Sequence, residues 1–157
     1  GPYYSYLWGR EAAQFFAAGE KTMLASCIHA DTLRELEQIL YSPPLEIPPP
    51  DLLNIDLILF MRREGTYFDS RRRGFRVYGT LREPKERILL YELDRESDSF
   101  KRKYIDDYLV ELADRRSVDK AEIKREIESG REFLAQLKSS GINKLAAIRK
   151  KLVSSSS

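Results

Sequence analysis

Residues 28–64 read IHADTLRELEQILYSPPLEIPPPDLLNIDLILFMRRE, and this stretch decides the fold. It opens with His29, the only histidine of the chain, and then places leucine and isoleucine at helical spacing. Asp31 and Thr32 stand where a helix N-cap is expected, because short polar side chains there can accept the first free amide hydrogens. The stretch therefore predicts a helix that begins directly after the histidine.

Two apolar runs flank this helix and predict buried strands. Residues 22–28, TMLASCI, are short and unbroken, and residues 55–61, IDLILFM, repeat that pattern. We expect the two strands to be adjacent and parallel, joined by helix 31–41 as a right-handed crossover. The prolines between 43 and 50 end the helix and predict an exposed connection with a short helical turn after it.

The sequence on either side predicts further elements. A helix is expected at 11–18 and should stop at Gly19. Alternating residues at 75–81 and 87–93 predict two antiparallel strands, and the arginines at 71–74 predict a loop before them.

The last third predicts helices. Apolar residues at helical spacing occur at 104–113, and Ser117 is placed to cap a longer helix at 118–139. A last short helix is expected from Asn143 to residue 152. We expect these helices to pack beside the sheet.

We therefore divide the chain into an α/β lobe at 1–103, a helical subdomain at 104–153 and a disordered tail at 154–157.

Composition narrows the function classes. The chain has 157 residues, 42% of them hydrophobic, and a net charge of +2, which favours neither nucleic acid nor a membrane surface as partner. The single Cys27 excludes an internal disulfide framework, and its apolar surroundings predict a packed thiol. No apolar run reaches the roughly 20 residues of a membrane span. Gly1 and Pro2 are typical of a protease scar, so we expect the natural protein to continue upstream.

Several short motifs together resemble the secretion-superfamily ATPases of archaeal type, the hexameric motors of archaella, type IV pili and type II or type IV secretion. ASCIHAD at 25–31 resembles their His box, L-S-T-I-H-A-D, and SPPLEIP at 42–48 resembles the run S/N-x-P-I-x-V-P. NIDLI at 54–58 followed by RRE at 62–64, and a helix followed by Gly141 and isoleucine, are also similar. The resemblance covers nearly the whole chain.

This resemblance implies the carboxyl-terminal lobe of such a motor: a partial RecA-like sheet with crossover helices, a β-hairpin and a helical subdomain. In the intact motor, ATP and magnesium would be bound by a P-loop half. The implied partners are that half, neighbouring subunits of a homohexamer and a pilus-type membrane platform protein. The implied location is the cytoplasm or the cytoplasmic membrane surface.

The departures from the family concern catalysis. The chain contains no P-loop, G-x-x-x-x-G-K-[ST], and residues 5–8, SYLW, replace the acidic Walker B end. We therefore expect no catalytic residue, no metal site and no cofactor in this chain alone, and ATPase activity only where a larger chain or assembly supplies the P-loop.

The family match assigns nucleotide sensing to His29 and Asp31. From the residues alone, His29 is favoured as a hydrogen-bonded histidine at a strand end, and Asp31 is favoured as a helix N-cap over a catalytic acid. Arg62 and Arg63 could contact a nucleotide phosphate or an acidic subunit face, or be solvated at a strand end.

Arginines and aromatic rings interleave between residues 67 and 78, in a pattern that single-strand nucleic-acid surfaces also show. A hairpin with its rings in the core and its arginines in water is favoured, so we do not expect nucleic acid as a partner.

Six aromatic residues and one leucine near the start should form an exposed patch that pairs with another protein surface. They are Tyr3, Tyr4, Tyr6, Leu7, Trp8, Phe15 and Phe16. A second functional hypothesis is a stand-alone interaction or nucleic-acid-binding module that reuses this lobe.

Overall fold

A computed structural model describes residues 11–19, 21–66, 69–142 and 144–155. The first part contains helices α1 (Glu11–Ala18), α2 (Leu33–Tyr41) and α3 (Pro49–Leu52), then strands β1 (Leu57–Gly65), β2 (Ser70–Arg82), β3 (Lys85–Asp94) and β4 (Ser99–Arg102). Helices α4 (Ile105–Arg116), α5 (Lys120–Ser139) and α6 (Leu145–Ser155) follow. The described part of the chain is thus mixed α/β, with one four-stranded antiparallel sheet and six helices.

The sheet is a meander in which each strand pairs with the next along the chain. This order confirms the predicted antiparallel pair at 75–81 and 87–93. The loop predicted at 71–74 is wrong, because β2 begins at Ser70 and these arginines pair with the carboxyl end of β1. Strand β4 was not predicted.

The strand predicted at 22–28 is wrong. Residues 23–30 have no regular secondary structure, Met23 is 99% exposed and Cys27 is exposed rather than packed. The expected parallel pairing with 55–61 is therefore absent from the part of the chain described, where β1 pairs with β2 alone. An apolar run becomes a central strand only when other strands pair with it, and none of the described strands pairs with these residues.

Helix α2 confirms the prediction at 31–41, with Thr32 rather than Asp31 as its cap. The backbone N–H of Glu35 donates to Thr32 Oγ1 at 3.1 Å. The Glu35 carboxylate accepts the backbone N–H of Asp31 at 2.8 Å. This reciprocal arrangement resembles a capping box and satisfies two amides at the helix start.

The proline segment folds back onto the helix that precedes it. The N–H of Ile47 donates to the carbonyl of Leu40 at 2.8 Å, and Leu45 and Ile47 are buried although the prolines around them are exposed. The predicted short helical turn is α3, which begins at Pro49.

The core of this part lies between α1, α2, the proline segment and one face of β1 and β2. Its buried members are Ala12, Phe16, Leu36, Leu40, Leu45, Ile47, Leu52, Phe60 and Phe75. Phe16 is only 6% exposed, so its predicted place on a docking patch is wrong: it sits one helical turn from Ala12 on the buried face of α1. Phe15 is partly buried against the same core, and positions 3–8 lie outside the described residues.

A close backbone approach occurs at Gly79 in β2. A Cβ at this position would lie 2.8 Å from two ring carbons of Tyr108 and 2.9 Å from Leu90 Cδ1. The next residue, Thr80, is buried and its hydroxyl donates to the carbonyl of Ile55 at 2.6 Å. These contacts fix the tyrosine and the entry to β1 against the middle of the sheet.

Contacts between Cα atoms divide the chain into two compact units, Gly1–Tyr108 and Leu109–Ser157. In the second unit, α5 begins at Lys120 with Asp119 as its N-cap, whereas Ser117 was predicted. Ser117 instead adopts a positive φ of 53° in the turn before it. Ala113, Ile123 and Leu137 are buried in this unit.

Helix α6 runs to Ser155, two residues into the segment predicted as a tail. Among the helices that the structure describes, none is both long and apolar enough to cross a bilayer.

Candidate functional site

An arginine-lined groove of about 900 Å³ lies at the carboxyl end of β1. Its walls come from the start of α2, the end of β1, the first half of β2 and the turn after β3. It is lined by the arginines Arg62, Arg63, Arg71, Arg73, Arg76 and Arg95 and by the carboxylates Asp31, Glu64 and Asp98. Six arginines face three carboxylates in this lining, and Glu92, which pairs with Arg76, leaves an excess of two positive charges.

The register of β1 and β2 explains why the arginines gather. Arg62 lies opposite Arg73, and Glu64 lies opposite Arg71, just past an irregularity in the pairing after Phe60. Residues directly opposite in an antiparallel pair have their side chains on the same face. Two arginines in such positions repel each other by roughly 0.2–1 kcal/mol. The groove therefore concentrates positive charge at some cost to the hairpin.

Arg62 lies on the ring of Phe75. The guanidinium carbon is 4.1 Å from the ring centroid, and Phe75 is itself buried against Phe60. A cation over an aromatic face is attracted by the ring quadrupole, and the contact fixes the plane of the guanidinium. Among the residues that the structure describes, no carboxylate pairs with Arg62.

Arg73 is held by two carboxylates. It forms an ion pair with Asp98, its Nη1 lies 3.8 Å from Glu64, and Arg71 lies 3.9 Å from the same Glu64 carboxylate. The hydrogen bond to Asp98 is the main reason that the pKa of Arg73 is raised. Glu64 and Asp98 thus neutralise part of the charge on the β2 side.

Arg76 is paired across the sheet. Its Nε and Nη2 both donate to Glu92 Oε1, at 2.9 and 2.7 Å, and this hydrogen bonding raises the pKa of the guanidinium. The two residues are Cα partners in the β2–β3 ladder. Arg76 therefore lines the groove with its charge already compensated.

The structure brings together three of the four site residues predicted from sequence. Asp31, Arg62 and Arg63 all line the groove, although they are separated by thirty residues of chain. His29 is exposed and is not part of the lining. The favoured N-cap interpretation of Asp31 is wrong, since Thr32 caps α2 and the Asp31 side chain is exposed at the groove.

The arrangement of 71–78 follows the favoured hairpin interpretation where it is described. Phe75 is in the core and Tyr78 packs edge-on against Phe60, with ring centroids 5.8 Å apart. Arg71 and Arg72 are exposed, but Arg73 and Arg76 are half-buried and ion-paired, so the prediction that the arginines face water is wrong for these two. Positions 67 and 68 lie outside the described residues.

Sequence reasoning missed the contribution of the turn after β3. Arg95 and Asp98 reach the groove from this turn, which is held by Lys101 pairing with Asp94 at 2.8 Å. The hydrogen bond from Lys101 is the main cause that lowers the pKa of Asp94 to about 2. The alternating charges of DRESD at 94–98 were the available signal, but only the pairing of β3 with β4 shows where the turn points.

No group of three or more His, Cys, Asp or Glu side chains placed to hold a metal ion occurs within the described ranges. What the groove offers chemically is hydrogen-bond donors with fixed positive charge, which suit binding rather than proton transfer. No protein-family model and no curated protein matches the chain.

Proposed function

We propose that this chain is the carboxyl-terminal lobe of a hexameric secretion, pilus or archaellum motor ATPase, and that it is not catalytic without a P-loop half. The motifs at 25–31 and 42–48 suggest the family, and β1 supplies the physical argument. In this proposal the RecA-like sheet is completed by strands that this chain does not contain.

The observation that carries the proposal is that β1 has the composition of a central strand but lies at an edge of the sheet that the described strands form. It has nine residues, and its outward row is apolar: Leu57, Leu59 and Met61 are 55%, 56% and 51% exposed. Strands that are apolar on both faces are normally covered on both faces and paired on both sides. A long apolar edge is otherwise a site for pairing with another chain.

The segment before α2 supports the same conclusion. Residues 23–30 are also apolar in sequence and exposed in large part, and none of the described strands pairs with them. A P-loop half that pairs with this segment and with β1 would cover both. In the intact motor, that half would hold ATP and magnesium, His29 and Asp31 would sense the nucleotide state, and Arg62 and Arg63 would face a phosphate or a neighbouring subunit.

Affinity purification of the chain from its own cells tests the proposal. We expect to recover a sequence with a G-x-x-x-x-G-K-[ST] motif, in an amount about equal to that of the chain. This sequence is either joined to the chain or a separate polypeptide. Leu59→Lys should prevent this association or destroy the fold of a joined motor. Phe100→Lys, at an exposed apolar position on the opposite edge strand, should not.

Cys27 gives a second measurement, because it is the only cysteine and is exposed. A maleimide should label it rapidly in the isolated chain and at least about tenfold more slowly in the assembly, since burial excludes the reagent. The proposal is contradicted if no P-loop sequence is recovered and Cys27 reacts equally fast in every preparation from the cells.

The same exposed strand would also suit a stand-alone interaction module. That second function is favoured if a protein without a P-loop is recovered in equal amount and the Leu59→Lys variant loses it.

A further inference from the structure

The arginines of the groove come from separate stretches of the chain. Arg62 belongs to β1, Arg73 to β2 and Arg95 to the turn after β3, and all three line one cavity. Cations that converge on one cavity from different elements suit a compact anion, whereas a long polyanion is usually followed by a row of cations.

The carboxylates of the groove leave two of its cations uncompensated. Glu64 and Asp98 lie against Arg71 and Arg73. In the part of the chain that is described, neither Arg62 nor Arg95 pairs with a carboxylate. The groove thus keeps free positive charge after its internal ion pairs are counted.

Arg62 is oriented before any ligand arrives. Its guanidinium lies 4.1 Å from the centroid of the buried Phe75 ring, so its plane is fixed while its N–H groups keep no carboxylate partner among the described residues. A planar guanidinium matches two oxygens of a phosphate, and a side chain that is already ordered loses less entropy on binding.

We propose that this groove binds a compact phosphate group, with Arg62 as the main donor and Arg95 as a second cation. A phosphate carries more charge than a single carboxylate and therefore matches the excess of positive charge better. The proposal goes beyond the assignment to a motor and requires only the groove, so the two can fail separately.

Two carboxylates of the groove, Asp31 before α2 and Asp98 in the turn after β3, oppose the binding of an anion. The N–H groups of Asp31 and Glu35 are already used within the helix cap, so the proposed phosphate donors are the arginines of the groove rather than these two amides. The Asp31 carboxylate lines the groove and repels an anion there. Asp98 draws Arg73 away from a ligand by pairing with it.

The test is a titration of the full chain with inorganic tripolyphosphate, followed by amide chemical shifts in NMR at low salt. We expect saturable shifts at positions 61–65, 71–76 and 94–98. Arg62→Gln and Arg95→Gln should each weaken binding by about tenfold, as the loss of a charge-assisted hydrogen bond predicts. Asp31→Asn and Asp98→Asn should each strengthen binding.

Arg72→Gln is the matched control. It removes the same charge from a neighbouring position on β2, but Arg72 is exposed and does not line the groove. The affinity of this variant for tripolyphosphate should change by less than about twofold, because exposed charges at a distance are screened by salt. Arg95 is in an exposed turn, so its variant remains informative if Arg62→Gln fails to fold.

Titrations with other ligands identify which kind of molecule supplies the phosphate. Stronger shifts with ATP lacking magnesium than with tripolyphosphate indicate a nucleotide, and stronger shifts with vesicles of phosphatidylglycerol indicate a lipid headgroup; either supports the proposal. Tighter binding of hexaglutamate than of tripolyphosphate would overturn it in favour of an acidic peptide. If Arg72→Gln and Arg95→Gln lose equal affinity for tripolyphosphate, the binding is diffuse charge attraction and the proposal is wrong. The absence of saturable shifts would also overturn it.

Discussion

Gly79 shows how one residue controls the packing of the sheet. The ring of Tyr108 and the side chain of Leu90 occupy the space above its Cα, so that a side chain cannot be added without displacing them. The tyrosine hydroxyl also donates to the carbonyl of Asp56 at 3.3 Å, which ties the ring to the start of β1.

We expect Gly79→Ala to destabilise the protein by about 1–3 kcal/mol, the usual cost of overpacking a closely packed site. Gly130→Ala is the control, because a Cβ there would meet nothing within 4 Å and the position is inside α5. It should stabilise its unit by about 0.5–1 kcal/mol, since alanine favours helix. Urea unfolding measures both, and an equal change of the same sign would contradict the assigned packing.

Arg87 is a half-buried arginine that the sequence did not single out. Burial lowers its pKa, while the nearby Glu37 carboxylate opposes that shift. Its Nη2 donates to the carbonyl of Leu52 at the end of α3, and its Nη1 is buried without a hydrogen-bond partner. The residue therefore ties α3 to the sheet, a role that depends on contacts between positions far apart in the chain.

The residues of the groove show what sequence can and cannot identify. Arg62 and Arg63 were predicted because a pair of arginines directly after an apolar strand is visible in a linear reading. Arg95 could not be found in this way, because it reaches the groove through a turn whose direction depends on the pairing of β3 with β4.

At the level of elements, the start of α2 depends on a single hydroxyl. Thr32 accepts the N–H of Glu35, whereas the side chain of Asp31 lies one residue too early to do so. The sequence left both residues open as caps, since either type is common at this position.

Thr32→Ala should therefore destabilise the protein by about 1 kcal/mol, the usual cost of losing an N-cap hydroxyl. Thermal unfolding followed by circular dichroism measures the change. Asp31→Ala should have a much smaller effect, because only its backbone takes part in the cap. A larger loss in Asp31→Ala than in Thr32→Ala would show that the cap has been assigned to the wrong residue.

Strand β1 was predicted correctly as a strand, but its neighbouring strands were predicted wrongly. Its apolar run indicated a strand, and a strand begins at Leu57. The same run also indicated neighbours on both sides, and β2 alone lies beside it among the described strands. Exposed Leu57, Leu59 and Met61 are the physical consequence of that difference.

For the molecule as a whole, we expect no hydrolysis of magnesium-ATP by the isolated chain and no binding in the micromolar range. The sequence has no P-loop, and therefore neither its lysine nor its phosphate-binding backbone loop. Calorimetry and a phosphate-release assay measure binding and turnover. Clear turnover of magnesium-ATP by the isolated chain would contradict the proposed dependence on a P-loop half.

The sequence by itself determined the local elements: helices α1 and α2, the short turn at α3, the β2–β3 hairpin and the helices after Tyr104. Each follows from periodicity, caps and prolines, which act within a few residues. Only the tertiary structure decided that 22–28 forms no strand, that Phe16 is core and that Asp31, Arg62 and Arg95 share a groove. These outcomes depend on hydrogen bonds and contacts between distant segments, and a linear pattern does not specify which segments will meet.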